Sequence, residues 1–156
     1  MTKLIMAIMY AQEETLNQCK QELTTKYGPI QKENTPYNFD YTQYYEEEFG
    51  TNLKKQFIIF QKEIQTDQLA TIKHEITAIE ALFTKNNKRT INIDPGYLTA
   101  SELTLASFKP RNQVKEEIAK DIYAHTVIEV INGKPQTFPH TFRDYKEHLN
   151  FFFPQE

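Results

Sequence analysis

Two short runs, Leu4-Ile5-Met6-Ala7-Ile8-Met9 and Phe57-Ile58-Ile59-Phe60, are apolar at odd and even positions alike. Alternate side chains of a strand point to opposite faces, so a strand built from such a run must be covered on both sides. That demand places both runs inside a sheet that carries a layer on each face. Periodicity alone does not separate strand from helix over so few residues. Both are assigned as strands, the second flanked by Lys54, Lys55 and Lys62.

The neighbouring segments supply the layers. From Glu13 to Tyr27, Leu16, Cys19, Leu23 and Tyr27 recur at three and four residues, and Gly28-Pro29 closes the segment, which predicts a helix. Ile30 to Phe39 is polar and contains Pro36, which lacks a ladder donor, so as a strand it belongs at a sheet edge. Asp40 to Gly50 is dense in aromatic and acidic residues and reads as a short helix or ordered loop. A second helix starts near Thr66 as N-cap, with Asp67 favouring its dipole, and carries Leu69, Ile72, Ile76, Ile79 and Phe83 on one face. Asn86-Asn87-Lys88 ends it. Thr90 to Asp94 then alternates, with Ile91 and Ile93 toward the core and Asn92 and Asp94 on the opposite face, before Pro95-Gly96 turns the chain. Leu103 and Leu105 mark another strand, and Ile122 to Ile131 is the clearest one. Asn132-Gly133 is a type I′ hairpin signal, a return strand is expected around Gln136 to Phe138, and Phe142 to Phe152 reads as a short aromatic helix.

This order predicts a single α+β domain over residues 1–156. Its expected core is a ferredoxin-like split βαβ unit, with an extended, mainly antiparallel sheet and a C-terminal helix. With 39% hydrophobic residues against 25% charged, the chain can bury one core, which excludes global disorder. A net charge of -3, with Arg only at 89, 111 and 143, creates no field for polyanions, so no obligate nucleic-acid partner is expected. Four glycines, at 28, 50, 96 and 133, cannot be arranged into either the GxxxxGK[ST] or the GxGxxG phosphate loop. The single Cys19 excludes an intramolecular disulfide and a multi-Cys zinc site. The run before Gln12 is too short for a signal peptide, and no stretch approaches the ~18 apolar residues of a membrane span. A cytoplasmic protein with no membrane partner is the expectation.

Phe39-Asp40-Tyr41-Thr42, Tyr44-Tyr45-Glu46, Glu48, Gly50, and then Arg89 with Asn92-Ile93-Asp94-Pro95-Gly96-Tyr97-Leu98 resemble a family called only domain of unknown function 4416. The likeness extends to Ile122-Tyr123-Ala124, Thr141-Phe142 and Asp144-Tyr145, and so runs from near Lys3 to about Phe153. It implies a related fold and a shared site but no reaction. The chain departs from the family's pattern in places. Val114-Lys115-Glu116-Glu117 replaces a His-Arg pair, and Asp121 replaces a glycine. Glu102 stands where a Lys is usual, and His125 where an acid is usual.

Several residues are candidates for chemistry, each beside a plainer role. Asp94, before Pro95-Gly96, either displays a carboxylate at a strand end or only braces its turn. Tyr44, Tyr45, Glu46 and Glu48 offer hard oxygens for a divalent cation and stacking surface for a ligand, or form an ordinary amphipathic turn. Arg89, Lys109 and Arg111, with Lys54, Lys55, Lys85 and Lys88, are read either as one basic mouth for phosphate or as charges guarding element ends. His125 and Tyr123 share a strand face with Glu129. His125 and Glu129 stand roughly 13 Å apart along the strand, too far to chelate one ion. Asn92 and Tyr97 complete the set.

Two functions compete. In the first, a cleft formed by the Tyr/Glu segment and the Asp-Pro-Gly turn binds a small anionic or phosphorylated ligand or nucleotide. A divalent cation would sit on Asp94 and Glu46, and Arg89 or Lys109 would lie at the rim. In the second, the Tyr-rich segment 37–45 or the Phe-rich end 151–153 docks a protein partner without catalysis.

Overall fold

The computed structural model describes residues 1–110 and 116–155. Both two-sided apolar runs are strands: β1 (Lys3–Tyr10) and, after α1 (Glu13–Tyr27), β2 (Ile30–Glu33), β3 (Tyr37–Asn38) and α2 (Glu46–Phe49), the long β4 (Lys54–Glu63). A helix α3 (Leu69–Leu82) leads to β5 (Ile91–Leu98) and β6 (Glu102–Ser107). These are followed by β7 (Glu116–Ala119), β8 (Ile122–Ile131), β9 (Lys134–Thr137) and two single turns, α4 (Arg143–Lys146) and α5 (Leu149–Phe152). Among the described residues the nine strands form one sheet in the order β2-β4-β1-β5-β6-β8-β7, with β3 also on β4 and β9 also on β8. Every pairing is antiparallel. β1 and β4 are interior, as their double-sided burial requires.

The pleat divides the core in two. On one face Leu4, Met6 and Ile8 of β1, Ile58 and Phe60 of β4, and Ile91 and Ile93 of β5 pack under α1 and α3. Leu16, Cys19 and Leu23 descend from α1, and Ile72, Ile76 and Ile79 from α3. Phe83, the last residue of the expected stripe, is only partly buried because it caps the helix. On the other face Ile5, Ala7, Phe57 and Ile59 are covered by Tyr145, Phe152 and Phe153 from the C-terminal turns.

Several expectations need correction. Pro95-Gly96 does not turn the chain. β5 runs through it, with Pro95 opposite Met6 and Gly96 opposite Ile5, and reverses only after Leu98. The ladder to β6 begins at Gly96, so Pro95 lies beyond it and its missing N–H is tolerated. A side chain on Gly96 would stand 2.4 Å from the Thr104 carbonyl oxygen, so this glycine answers a close approach of backbones and not a turn. Thr66 is not an N-cap. It opens a 3₁₀ turn, Thr66–Gln68, capped reciprocally by Gln65 and Gln68. The expected edge strand is broken between Glu33 and Tyr37, around Pro36. The expected C-terminal helix is two separate turns, and β7, which no apolar pattern announced, pairs with β8. Asp121 adopts φ +61°, a conformation glycine reaches without cost, which fits the resemblance's expectation of a glycine at this position.

Candidate functional site

The second face of the sheet is incompletely filled. Ala7 lies across from Asp94, and Asn92 and Asp94 project to the face opposite Ile91 and Ile93. Above them is a cavity of about 390 Å³, within the range of small-ligand sites. Phe39, Tyr41, Thr42 and Tyr45 form one wall, and Phe142, Arg143, Asp144 and Tyr145 form another. Lys55 of β4, Leu105 to Ser107 of β6 and His125 of β8 complete it.

Lys55 and Asp144 are a buried ion pair, Nζ to Oδ2 2.7 Å, with side chains 8% and 3% exposed. Burying two charges is costly unless their remaining hydrogen-bonding capacity is used. The Tyr37 hydroxyl donates to Asp144 Oδ2 at 2.9 Å, and the Tyr145 backbone N–H donates to Oδ1 at 3.0 Å. The ammonium also lies 5.1 Å from the Phe39 ring centre and 5.2 Å from that of Tyr145, near enough for cation–π attraction. Burial, followed by the charge of Asp144, pushes the Tyr37 phenol far above its usual range, so it stays a neutral donor. The Tyr145 phenol is fully buried. Burial and the carboxylates of Asp94 and Asp144 raise it well above 10, and its hydroxyl has no hydrogen-bond partner among the described residues.

Asp94 is held from behind. Arg89 grips Glu48 with Nε at 2.7 Å and Nη2 at 3.1 Å, a bidentate pair. Its Nη1 donates to Asn92 Oδ1 at 3.0 Å, and Asn92 Nδ2 donates to Asp94 Oδ2 at 3.2 Å. The Arg89 hydrogen bond lowers the Glu48 carboxyl below its usual range. Glu80 of α3, 3.6 Å from Arg89, is raised instead, because burial outweighs the Ile93 N–H that it accepts.

Of the residues singled out from sequence, Tyr45, Asn92, Asp94 and His125 line this cavity. His125 is buried. Glu48 and Arg89 stand one layer back. Tyr44 is 73% exposed, packs its ring on Tyr45 at 5.0 Å and donates its backbone N–H to Thr42 Oγ1. Glu46 begins α2 and lies outside the lining, as does Lys109, whose backbone N–H is used on Ser107 Oγ. Tyr123 pairs across to Ser107 and Glu117 and is not itself among the lining residues. Tyr97 donates to Glu102 and borders a second cavity of about 660 Å³, into which Asp67, Glu102, Glu116 and Glu117 bring only negative charge.

Among the described residues, the basic side chains do not gather into one mouth. Lys55 turns into the cavity, while Lys54 borders a different hollow beside Tyr10 and Glu13, because neighbours along a strand face opposite ways. Lys88 reaches the Glu47 carbonyl, and Arg111 lies outside the described residues. Sequence reasoning offered Lys55 only as one of several basic residues at a phosphate mouth, missed its pairing with Asp144, and did not select Asp144 or Tyr145. The only signal for the last two was the short Asp144-Tyr145 likeness. Phe152 and Phe153, offered as a docking surface, are buried in the second core. No group of three His, Cys, Asp or Glu side chains among the described residues is placed to hold a metal ion, and no helix among them is long and apolar enough to cross a membrane.

No curated protein and no solved structure matches the chain. The model of the family described as Domain of unknown function (DUF4416) matches residues 1–154, nearly the whole chain, and the chain therefore belongs to that family.

Proposed function

We propose that the cavity under the C-terminal turns binds a small anionic or phosphorylated molecule, held by aromatic walls and with its charge toward Arg143. The observation that carries this is convergence. Three stretches of chain centred near residues 42, 93 and 143 bring polar and aromatic groups to one hollow, which packing alone does not demand. The cation part of the reading rests on Asp94 alone, so a phosphorylated ligand would supply the other oxygens around a divalent ion. We also propose that β1 to β5 with α1 and α3 form a ferredoxin-like core extended by β6 to β9. The strand order β2-β4-β1-β5 and both helices on one face support this.

A thermal-shift screen of phosphorylated small molecules, with and without Mg²⁺, tests the binding reading. A ligand that binds only the folded state raises Tm by mass action, and Arg143→Ala should shrink that rise. A flat response to all compounds at millimolar concentration would reject it.

A further inference from the structure

The interior of the same cavity carries a more specific message, which rests on the binding reading above. Its inner charges are already balanced or negative: Lys55 is committed to Asp144, and Asp94 adds a further carboxylate. A phosphate beside Lys55 would meet both acids, whereas at Arg143, whose side chain is 79% exposed and whose Nε pairs with Glu147 at 3.2 Å, it would compete only with one exposed carboxylate. Among the polar groups of the lining, two stand out as a donor and an acceptor with capacity to spare. The donor is the Tyr145 hydroxyl, buried and without a partner among the described residues. The acceptor is the Asp94 carboxylate, which the Arg89–Asn92 relay fixes through one oxygen and which has capacity for another N–H. The rings of Phe39, Tyr41, Tyr45 and Phe142 line the same cavity. Phe39 meets Tyr41 at 5.5 Å and Tyr45 at 5.9 Å between ring centres, tilted or edge-on and not stacked, while the Lys55 ammonium lies 5.1 Å from the Phe39 ring centre and the Arg143 guanidinium 5.7 Å from that of Tyr41.

We infer that this protein binds a mononucleotide with its base inward. An N–H on the base edge donates to Asp94, a neighbouring ring nitrogen or carbonyl accepts from Tyr145, and the phosphate lies at Arg143. An amide-like or amidine-like edge of a heteroaromatic ring is the small chemical unit that offers adjacent donor and acceptor in one plane. Sugar hydroxyls could pair with the same two groups but offer no flat ring face to the aromatic walls.

Isothermal titration of the full chain with uridine 5′-monophosphate, adenosine 5′-monophosphate and ribose 5-phosphate provides the test. The N3-methyluridine and N6,N6-dimethyladenosine 5′-monophosphates, which lack the edge N–H, serve as controls. At least one of the two unmodified nucleotides should bind about tenfold or more tightly than ribose 5-phosphate, and its methylated counterpart should lose about that factor. Tyr145→Phe, which keeps the ring in the core, should remove the advantage over ribose 5-phosphate, and so should Asp94→Asn. Ribose 5-phosphate binding as tightly as the nucleotides, or methylation without effect, would overturn the base-inward assignment while leaving the anionic reading intact. Failure of all five compounds to bind would overturn both.

Discussion

At the scale of single residues, the costs sit where a group has no alternative. Asp144 is the sole carboxylate among the described residues in contact with Lys55 Nζ, so Asp144→Ala strands an ammonium under aromatic rings. It should cost about 3–5 kcal/mol in urea denaturation, and replacing both partners by apolar residues should cost less. A loss under about 1 kcal/mol would mean that water reaches the pair. Gly96 is as constrained in a different way, because a Cβ there meets backbone at 2.4 Å and Leu105 Cδ2 at 2.7 Å. Gly96→Ala should therefore destabilise by about 1–3 kcal/mol through overpacking, measured by the same titration. Glu80 brings in pH. Burial raises its carboxyl above the usual 4.5, so the folded chain holds that proton more tightly than the unfolded one. Its contribution is lost as pH rises from the unfolded value through the raised folded one. Glu80→Gln retains an acceptor for the Ile93 N–H and should flatten the fall in stability just above pH 4.5; an unchanged slope would assign it to another group.

At the scale of elements, legibility followed how locally each one is determined. The stripe of α3 and the two-sided runs of β1 and β4 are written in consecutive residues, because burial repeats at the period of the element. Ile76, fully buried at the centre of that stripe, should cost about 2–5 kcal/mol when cut to Ala, and a change within surface scatter would contradict its place. Asn132-Gly133 reads correctly for the same reason, since both residues take positive φ, 52° and 76°. Pro95-Gly96 misleads because its dipeptide chemistry is that of a turn, while its conformation is set by ladders to β1 and β6. The C-terminal turns carry an aromatic pattern whose burial is decided by Phe57, some ninety residues earlier, and not by helical period. Half the candidate site was legible on the same terms. The alternation of β5 placed Asn92 and Asp94 together on one face, but nothing near Lys55 in sequence announces Asp144.

At the scale of the whole molecule, the two faces of the sheet differ in how far the chain must return to cover them. The helical face is assembled from residues between Leu4 and Ile93. The cavity face waits for contacts such as Tyr37 to Asp144 and Lys32 to Phe151, separated by 107 and 119 positions. Closing loops of that length spends chain entropy before any contact rewards it. The helical layer is accordingly expected to be in place while the C-terminal cover is still searching, and native-state hydrogen exchange should show the amides of α4 and α5 opening at lower free energy than those of β1. Equal protection in both would argue for one cooperative unit. A site roofed by the least protected segment has a door as well as a wall: the rate at which that roof lifts would set how quickly an occupant leaves, and an occupant would in turn act as a latch on the roof.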